Sequence, residues 1–231
     1  TMNMDVKGVP RCIGFIVDGN RRWAREHGLP QLEGHRRGAE KIKEVAKRAF
    51  QKGVQEVIAF SFSTENWNRT EDEVGYLVGL IKEYFSSQFQ DLINEGIRIR
   101  VIGERERFSK DIQDIIARVE MESVEGTRGT FVIALSYGSR SEIVQAVNTL
   151  IASKKEIIVE KDVRDALWTS ELCDPDLIIR TGGEMRLSNF LLWQSAYAEL
   201  FFTPTLWPDF SFEEFDAILA EYGKRERRMG V

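Results

Sequence analysis

Short apolar runs alternate with segments of helical character along the chain, and this alternation constrains the fold more than any other feature. The predicted strands cover residues 12–17, 57–62, 98–102, 131–135, 177–179 and 200–202. The predicted helices cover residues 21–27, 36–51, 70–94, 109–123, 140–153, 163–168, 188–197 and 212–224. Strands that alternate with helices form a parallel sheet with both faces covered. The sequence therefore predicts an α/β fold with a central six-stranded, mainly parallel sheet flanked by helices.

Composition limits the domain count and the class of partner. The chain has 231 residues without an internal repeat or a linker, so residues 1–231 are predicted to form one domain with an irregular arm at residues 1–10. Its net charge of −5 provides no global positive field, and we expect no nucleic-acid partner. Cys12 and Cys173 lack metal-ligand spacing, which favours free thiols in a reducing cytosol.

Membrane association is also limited by the sequence. No apolar run approaches the length of a membrane span, and we expect no signal peptide. The expected location is therefore cytoplasmic, and any contact with the inner face of the membrane is expected to be peripheral.

A charged stretch follows the first predicted strand. Asp18 comes directly after the strand, and Gly19 turns the chain into a helix that carries Arg21 and Arg22. Open α/β sheets bind ligands at this end of their strands. Backbone N–H groups at a helix start can hold a phosphate, and arginines can add bidentate contacts. Because Asp18 would repel a bare phosphate, the stretch predicts a bridging Mg²⁺. A surface turn with solvated arginines is the alternative.

Other polar residues follow the ends of other predicted strands. They are Glu65, Asn66, Arg69, Ser136, Tyr137, Arg180, Arg186 and Ser188. Because the carboxyl ends of parallel strands share one edge of the sheet, we expect these side chains to converge with Asp18. Arg180, Arg186 and Ser188 can hold a second phosphate, since Gly182 and Gly183 let the backbone approach a ligand. A flexible glycine loop with surface charges is the alternative. Two anion sites predict two phosphorylated substrates.

The predicted helix over residues 70–94 is apolar on more than one side. Complete burial in an ordinary core is the usual explanation. The alternative is a helix that packs on one side and lines a hydrocarbon-binding cavity on another. In that case the strand residues Phe60 and Phe62 are expected to form the opposite wall.

Several motifs occur in a fixed order from residue 13 onwards. They are DGNRRWA at 18–24, GH at 34–35, FSTENWNR at 62–69, RTGGE at 180–184, SNFLLWQ at 188–194 and AEL at 198–200. In this order they resemble the cis-prenyltransferase family, above all its undecaprenyl diphosphate synthases. Members condense isopentenyl diphosphate with an allylic diphosphate, usually farnesyl diphosphate, in cis additions that yield a polyprenyl diphosphate, a precursor of a lipid carrier for cell-wall synthesis. The resemblance implies Mg²⁺ as cofactor, a homodimer, and a hydrophobic tunnel between sheet and helices.

The resemblance also implies roles for individual residues. Asp18 and Glu199 match the metal-binding acids. Asp18 and Asn66 match the catalytic residues, with Asn66 as the proton acceptor. Because an amide is a weak base, we expect Asn66 to orient a water or a diphosphate oxygen that takes the proton. The substrate-binding positions are Gly19, Asn20, Arg21, Arg22, Trp23, Gln31, His35, Ser63, Thr64, Glu65, Trp67, Arg69, Glu73, Arg180, Arg186, Leu187, Ser188, Arg228 and Gly230.

Three positions depart from the family pattern. Arg21 replaces a residue that is often glycine, and Met185 replaces a frequent histidine near the metal. Gln31 stands where a diphosphate-binding arginine is common, and Arg21, Arg36 or Arg37 are the candidates to replace it. These changes concern the contacts to diphosphate and Mg²⁺.

Two other functions are compatible with parts of the sequence. A non-catalytic family member could bind lipid and support an active partner, but the residues Asp18, Asn66, Arg180, Arg186 and Glu199 argue against it. An unrelated α/β enzyme could act on sugar phosphates, but it would not need the apolar helix. Incubation with labelled isopentenyl diphosphate would separate these cases.

Overall fold

The computed structural model describes residues 8–225, and these contain one six-stranded sheet. The strands are β1 (Cys12–Ile16), β2 (Glu56–Ser63), β3 (Ile97–Ile102), β4 (Gly129–Tyr137), β5 (Leu177–Arg180) and β6 (Glu199–Phe202). Their order is β3-β4-β2-β1-β5-β6, and each neighbouring pair is parallel. The predicted α/β sheet is confirmed, and it is parallel throughout this part of the chain.

Helices cover both faces of the sheet. They are α1 (Asn20–Glu26), α2 (Gln31–Gln51), α3 (Glu71–Glu83), α4 (Gln90–Asn94), α5 (Lys110–Glu122), α6 (Ser139–Ala152), α7 (Glu160–Ala166) and α8 (Phe212–Tyr222). Short 3₁₀ turns cover Thr64–Asn68, Arg105–Arg107 and Trp207–Asp209. Within residues 8–225, no helix has both the length and the apolar character that crossing a membrane requires.

Side chains alternate between two cores along each strand, as a pleated strand requires. Ile13 and Phe15 of β1 belong to the larger core, which also contains side chains of α2, α3, α5 and α8. Cys12 and Ile16 of the same strand belong to a smaller core on the other face. Both faces of the sheet are therefore buried, which explains why its strands are apolar at nearly every position.

A bulge in β2 separates two phenylalanines that the sequence placed on one wall. Phe60 pairs with Ala134 and Phe62 with Leu135, so Ser61 is the extra residue. The shift turns Phe62 into the larger core, while Phe60 stacks on Phe190 in the smaller one, with ring centroids 4.7 Å apart. The expectation of a wall formed by both rings is therefore wrong, because plain alternation fails at a bulge.

The helix predicted over residues 70–94 is interrupted. α3 ends at Glu83, a π-helical turn covers Tyr84–Gln88, and α4 follows. Within this turn the Ser87 hydroxyl donates to the carbonyl of Glu83 at 3.3 Å. Such side-chain bonds compete with the regular backbone ladder and bend helices. The widened turn brings the large rings of Tyr84 and Phe85 into the core.

Two other predicted helices differ from the observed chain. Residues 188–197 form turns and not a helix, because Ser188, Asn189 and Leu191 have φ angles of 47°, 66° and 47°. Left-handed residues cannot continue a right-handed helix. The helix predicted from residue 36 begins earlier, at Gln31, directly after Pro30. Proline favours a helix start because its φ angle is already suitable.

Candidate active site

Asp18 lies in the crevice at the carboxyl end of β1. On one side of β1 the chain continues into β2, and on the other side lies β5, so this crevice is a switch point of the sheet. Asp18 Oδ1 accepts a hydrogen bond from the Gly19 N–H at 2.6 Å, and Oδ2 accepts one from Arg180 Nη2 at 3.0 Å. Arg22 Nη2 lies 3.5 Å from Oδ1. The predicted convergence of Asp18 with Arg180 is thus observed.

Arg180 connects Asp18 to the segment that follows β5. Its guanidinium donates to the Ser188 hydroxyl at 2.7 Å and to the Arg186 carbonyl at 2.6 Å, and the side chain is only 4% exposed. Arg186 is exposed and forms an ion pair with Glu184. The two arginines therefore differ, since Arg180 is a buried scaffold charge, whereas Arg186 is exposed and paired with the nearby Glu184.

A pocket rich in arginine opens beside Asp18. Its lining residues are Val17, Asp18, Gly19, Asn20, Arg21, Arg22, Arg25, Gln31, His35 and Arg69. The guanidinium of Arg22 lies over Gly182, where a Cβ atom would be 2.6 Å from Nη2 and would displace it; the φ angle of 84° at this position also favours glycine. Arg25 was missed by the sequence analysis. Its spacing of three and four residues from Arg22 and Arg21 on α1 is the signal that would have found it.

Glu73 lies beside this pocket, close to two arginines and to His35. Its carboxylate accepts a hydrogen bond from Arg69 at 2.7 Å, and it lies 3.6 Å from Arg21 and 3.7 Å from His35 Nε2. Arg21 Nε also donates to Gln31 Oε1 at 3.0 Å. Gln31 therefore orients an arginine towards the pocket without carrying the charge itself.

Arg36 and Arg37, the other candidates to replace the missing arginine, are engaged elsewhere. Arg36 forms a two-pronged ion pair with Glu83, with N–O distances of 2.9 Å and 3.2 Å. Arg37 is exposed beside Glu33 and Glu40. Of the three candidates, Arg21 alone lines the pocket.

His35 is a neutral donor or acceptor in this pocket at ordinary pH. Burial, together with the nearby charge of Arg69, lowers the pKa of its imidazole to about 4, against the opposing effect of Glu73. Its Nε2 atom is buried and has no hydrogen-bond partner among the described residues. A buried atom of this kind is available to a ligand that enters from the pocket.

The lowered pKa of His35 predicts a pH dependence of stability. Below pH 6.5, His35 is protonated in the unfolded chain but stays neutral in the folded protein. The free energy of unfolding therefore decreases as the pH falls towards 4. The shift corresponds to about 3 kcal/mol lost across this interval. We expect His35→Gln to remove that part of the loss in chemical denaturation at pH 7, 5.5 and 4. His27→Gln, which replaces an exposed histidine, is the matched control; equal curves for both variants would contradict the prediction.

An apolar cavity lies between the sheet and α2, α3 and the π-helical turn. Its volume is about 100 Å³. Its lining residues are Val17, Asn20, His35, Gly38, Ala39, Ile42, Ser61, Phe62, Leu77, Leu80, Ile81, Tyr84, Phe85, Phe89, Phe131, Ile133 and Leu135. Val17, Asn20 and His35 line the arginine pocket as well. The helix from Glu71 therefore lines a cavity in addition to filling the core.

The turn after β2 holds Asn66 at the same edge of the sheet. Asn66 Oδ1 accepts a hydrogen bond from the Ser63 N–H at 2.9 Å, which leaves its amide group as a donor. Trp67 Nε1 donates to the Ser136 hydroxyl at 2.9 Å and anchors the turn on β4. Burial acts to raise the pKa of Glu65, but hydrogen bonds from its own N–H and from Asn189, Ser63 and Thr64 outweigh it and keep the pKa below the usual value.

Besides Glu199, four predicted site residues remain to be located. The Trp23 indole donates to Asp209 at 2.7 Å and stacks on His27, so it points away from the arginine pocket. Leu187 is partly buried against the smaller core. Arg228 and Gly230 lie outside the described residues.

Glu199 does not join Asp18 within one chain. It is the first residue of β6 and pairs in register with Leu177, at the start of β5, whereas Arg180 pairs with Phe202. Glu199 therefore lies at the opposite edge of the sheet, where it contacts Arg225 at 2.5 Å. Within a single chain, Glu199 and Asp18 therefore lie at opposite edges of the sheet, and the metal-binding role of Glu199 stays a prediction. Residues 8–225 contain no group of three or more acidic, histidine or cysteine side chains suited to a metal.

Comparison with known sequences supports this geometry. A family model described as "Putative undecaprenyl diphosphate synthase" matches residues 16–230. A protein named isoprenyl transferase from Neisseria gonorrhoeae is 46% identical over 222 residues, which are 96% of this chain and 90% of that protein. An isoprenyl transferase from Thermotoga maritima is 43% identical over 226 residues, covering 96% and 97% of the two chains.

Solved structures show the same fold. Lavandulyl diphosphate synthase from Lavandula x intermedia, in complex with dimethylallyl diphosphate, superposes with a TM-score of 0.92 at 33% identity and covers 97% of this chain and 99% of that one. A "probable undecaprenyl diphosphate synthase" from Campylobacter jejuni superposes with a TM-score of 0.82 at 30% identity, covering 96% and 99%. The chain, whose arginine pocket shares lining residues with an apolar cavity, belongs to the undecaprenyl diphosphate synthase family of prenyltransferases.

Proposed function

We propose that this prenyltransferase condenses isopentenyl diphosphate with an allylic diphosphate, with farnesyl diphosphate as the primer and undecaprenyl diphosphate as the product. The observation that carries the proposal is the wall that the apolar cavity shares with the arginine pocket at Val17, Asn20 and His35. A ligand with a diphosphate head and a hydrocarbon tail matches such a joint site. Each methylene buried in the cavity contributes about 0.8 kcal/mol to its binding.

The arginine pocket suits the allylic diphosphate, which leaves as the new bond forms. Arg21, Arg22, Arg25 and Arg69 line it and can neutralise the charge that develops on the leaving oxygens. Glu73 holds two of these arginines in the unliganded chain, so an entering diphosphate would take over their positive charge. The arginines of this pocket are thus already arranged to bind a diphosphate.

Isopentenyl diphosphate is proposed to bind at Arg186 and Ser188. Arg186 is exposed, and Ser188 is held by Arg180 at 2.7 Å. From there the isopentenyl double bond would attack the allylic carbon, and a proton would then be lost. Because the Asn66 carbonyl is bonded to the Ser63 N–H, we assign to Asn66 the orientation of the diphosphate or water that receives this proton.

Mg²⁺ is the proposed cofactor, and Asp18 is the residue that would hold it. Mg²⁺ in phosphate-transfer sites is bound through one or two carboxylates and the phosphates of the substrate, and not by a full cage of protein ligands. The single carboxylate of Asp18, one third exposed beside the arginine pocket, fits this arrangement. When bound, the ion supplies charge stabilisation to the departing diphosphate.

The decisive experiment is incubation of the protein with labelled isopentenyl diphosphate, Mg²⁺ and one primer at a time. The primers are dimethylallyl, geranyl and farnesyl diphosphate. The size of the extracted product is then measured. We expect label in a chain-extended lipid with farnesyl diphosphate and none without a primer. Absence of labelled lipid with every primer would refute the proposed function.

The aromatic end of the cavity is expected to limit product length. Phe89 packs against Phe85 and Phe131, with ring centroids 4.9 Å and 6.1 Å apart, and Phe85 and Phe89 separate the cavity from a surface depression. Phe89→Ala should lengthen the products by at least one isoprene unit at a stability cost of about 3–5 kcal/mol. Phe212→Ala, at an exposed ring, is the control. An unchanged product distribution in a folded Phe89 variant would contradict the assignment.

A homodimer is proposed as the functional unit. Three apolar side chains are exposed along one side of α6, namely Val144, Val147 and Ile151. Tyr197 and Leu200 are exposed as well, and they follow Leu192, whose N–H donates to the Ser139 hydroxyl in the first turn of α6. Exposed apolar groups of this kind mark interaction surfaces. Light scattering should give twice the chain mass for the wild type and a smaller mass for Ile151→Glu; a monomeric wild type at micromolar concentration would exclude the dimer. Arg228 and Gly230 are proposed to reach the partner's site, as the resemblance implies.

The proposed location is cytoplasmic, with peripheral contact to the inner membrane face during product release. The two diphosphate substrates are water-soluble, whereas the product carries a long hydrocarbon chain. Fractionation of cells with and without carbonate extraction would test this, since a peripheral protein is released by the treatment.

A further inference from the structure

The segment after β5 crosses the carboxyl edge of the sheet. In the sheet β1 and β2 lie between β5 and β4, yet Asn189 contacts the first turn of α6, which follows β4. The Asn189 carbonyl accepts a hydrogen bond from the Ser139 N–H at 2.8 Å, and Asn189 Oδ1 accepts one from the Arg140 N–H at 2.9 Å. The segment therefore spans the ends of the four central strands.

The same side chain also contacts the turn after β2. Asn189 Nδ2 donates to Glu65 Oε1 at 3.1 Å. Both functional groups of the amide are thus used, one towards the helix after β4 and the other towards the turn that carries Asn66. Asn189 is a connection between three segments that are distant in sequence.

Close packing confirms that the three segments meet. A Cβ atom on Gly138 would lie 2.6 Å from Asn189 Nδ2 and 2.7 Å from Thr64 Oγ1. Real side chains do not tolerate such distances to two neighbours at once, so the junction leaves no room for a methyl group. A change in the position of the Asn189 side chain is therefore expected to shift Gly138 and Thr64 as well.

The backbone around Asn189 is held in an uncommon conformation. Ser188 and Asn189 have φ angles of 47° and 66°, in the left-handed region that asparagine tolerates better than most residues. Such backbone persists where surrounding contacts enforce it, and it clusters at functional sites. Ser188, directly before Asn189, is the residue whose hydroxyl Arg180 holds.

We propose that Asn189 is a positioning residue for the condensation, a role that rests on the proposed function. It fixes the distance between the segment that carries Arg186 and Ser188 and the turn that carries Asn66. In this way it aligns the isopentenyl double bond with the allylic carbon while it contacts neither substrate.

Asn189→Asp tests the link with minimal change of shape. Aspartate also tolerates the left-handed backbone and still accepts from the Arg140 N–H, but it faces the Glu65 carboxylate with a second negative charge. The charged side chains on the segments that meet there are Glu65, Arg69, Arg140, Glu142, Glu184 and Arg186. Glu142 is bonded to Tyr137, Thr169 and Gln194, and Glu65 is the one bonded to the Asn189 amide. Like charges repel until one carboxyl takes a proton, after which an O–H···O bond can restore the link.

We expect kcat of the Asp variant to fall about tenfold at pH 8 and to recover towards pH 6, relative to the wild type at each pH. The KM values of both substrates should change less than threefold, because each diphosphate site remains intact. Asn189→Gly, which keeps the left-handed backbone but loses both side-chain bonds, should lower kcat similarly with no relative recovery. Ser195→Ala, in the same segment and away from the junction, is the control and should behave as the wild type.

Three results would overturn the inference. They are a wild-type kcat for both variants, a change confined to the KM of one substrate, or the same relative pH profile for the Asp and Gly variants. If the Asp variant does not fold by circular dichroism, kcat of the Gly variant decides. Failure of the proposed function is distinct, because the wild-type protein itself would then form no labelled lipid.

Discussion

Asp18→Asn is expected to lower kcat/KM at least a thousandfold, equivalent to about 4 kcal/mol of transition-state stabilisation. The substitution keeps the shape of the side chain, but its single amide oxygen can accept from only one of the Gly19 N–H and Arg180, which bond to different oxygens of Asp18. It removes the one negative charge beside the arginine pocket that would hold Mg²⁺ against the diphosphate. Steady-state rates with saturating Mg²⁺ and both substrates measure the effect.

The fold should survive this substitution. Asp18 is one third exposed, and its amide analogue loses one of two charge-assisted hydrogen bonds, so the free energy of unfolding should fall by about 1–3 kcal/mol. Thermal unfolding monitored by circular dichroism is the control. A folded variant that keeps more than a tenth of the wild-type rate would remove the Asp18 charge from the mechanism.

Arg180→Met is expected to damage both stability and activity, whereas Arg186→Met should damage activity alone. Arg180 is buried and holds Asp18, Ser188 and the Arg186 carbonyl together. Its loss leaves these acceptors without their charged donor, which should cost about 2–5 kcal/mol of stability. The kcat/KM for isopentenyl diphosphate should fall about a hundredfold to a thousandfold.

The comparison with Arg186 separates scaffold from ligand contact. Arg186 is exposed, so Arg186→Met should leave the unfolding midpoint unchanged while it raises the KM for isopentenyl diphosphate about tenfold or more. Denaturation curves and initial rates of the two variants, measured side by side, check both statements. Equal loss of stability in both variants, or a wild-type KM for Arg186→Met, would contradict the assignment.

The strand ends were predictable because two local signals agree there. An apolar run that stops at a polar residue marks the end of a buried strand, as at Asp18 and Arg180. Parallel topology then places all such ends on one edge, so convergence follows without any knowledge of distances. Glu199 was assigned by the resemblance alone, and it begins a strand instead of following one, so it lies at the other edge of the sheet.

Local pattern was misleading where tertiary contacts decide the backbone. Residues 188–197 have helical character in sequence, but the bonds of Ser188 to Arg180 and of Asn189 to Ser139, Arg140 and Glu65 hold left-handed residues in place. All of these partners lie outside residues 188–197, so the pattern of that segment alone does not reveal them. The apolar residues of the helix after Thr70 were equally ambiguous, since burial in a core and exposure to a cavity require the same side chains.

The sequence by itself determined the parallel α/β sheet and the edge that carries the site, because these follow from periodicity and strand direction. Its motifs indicated most of the charged residues there, but not Arg25. The tertiary structure decided that Arg180 is buried and Arg186 is exposed, and that Arg21 is bonded to Gln31 beside Glu73. It also decided that the cavity and the arginine pocket share lining residues. It also decided that Phe60 and Phe62 face opposite ways. These features depend on contacts between segments far apart in the chain, and such contacts leave no periodic signal in the sequence.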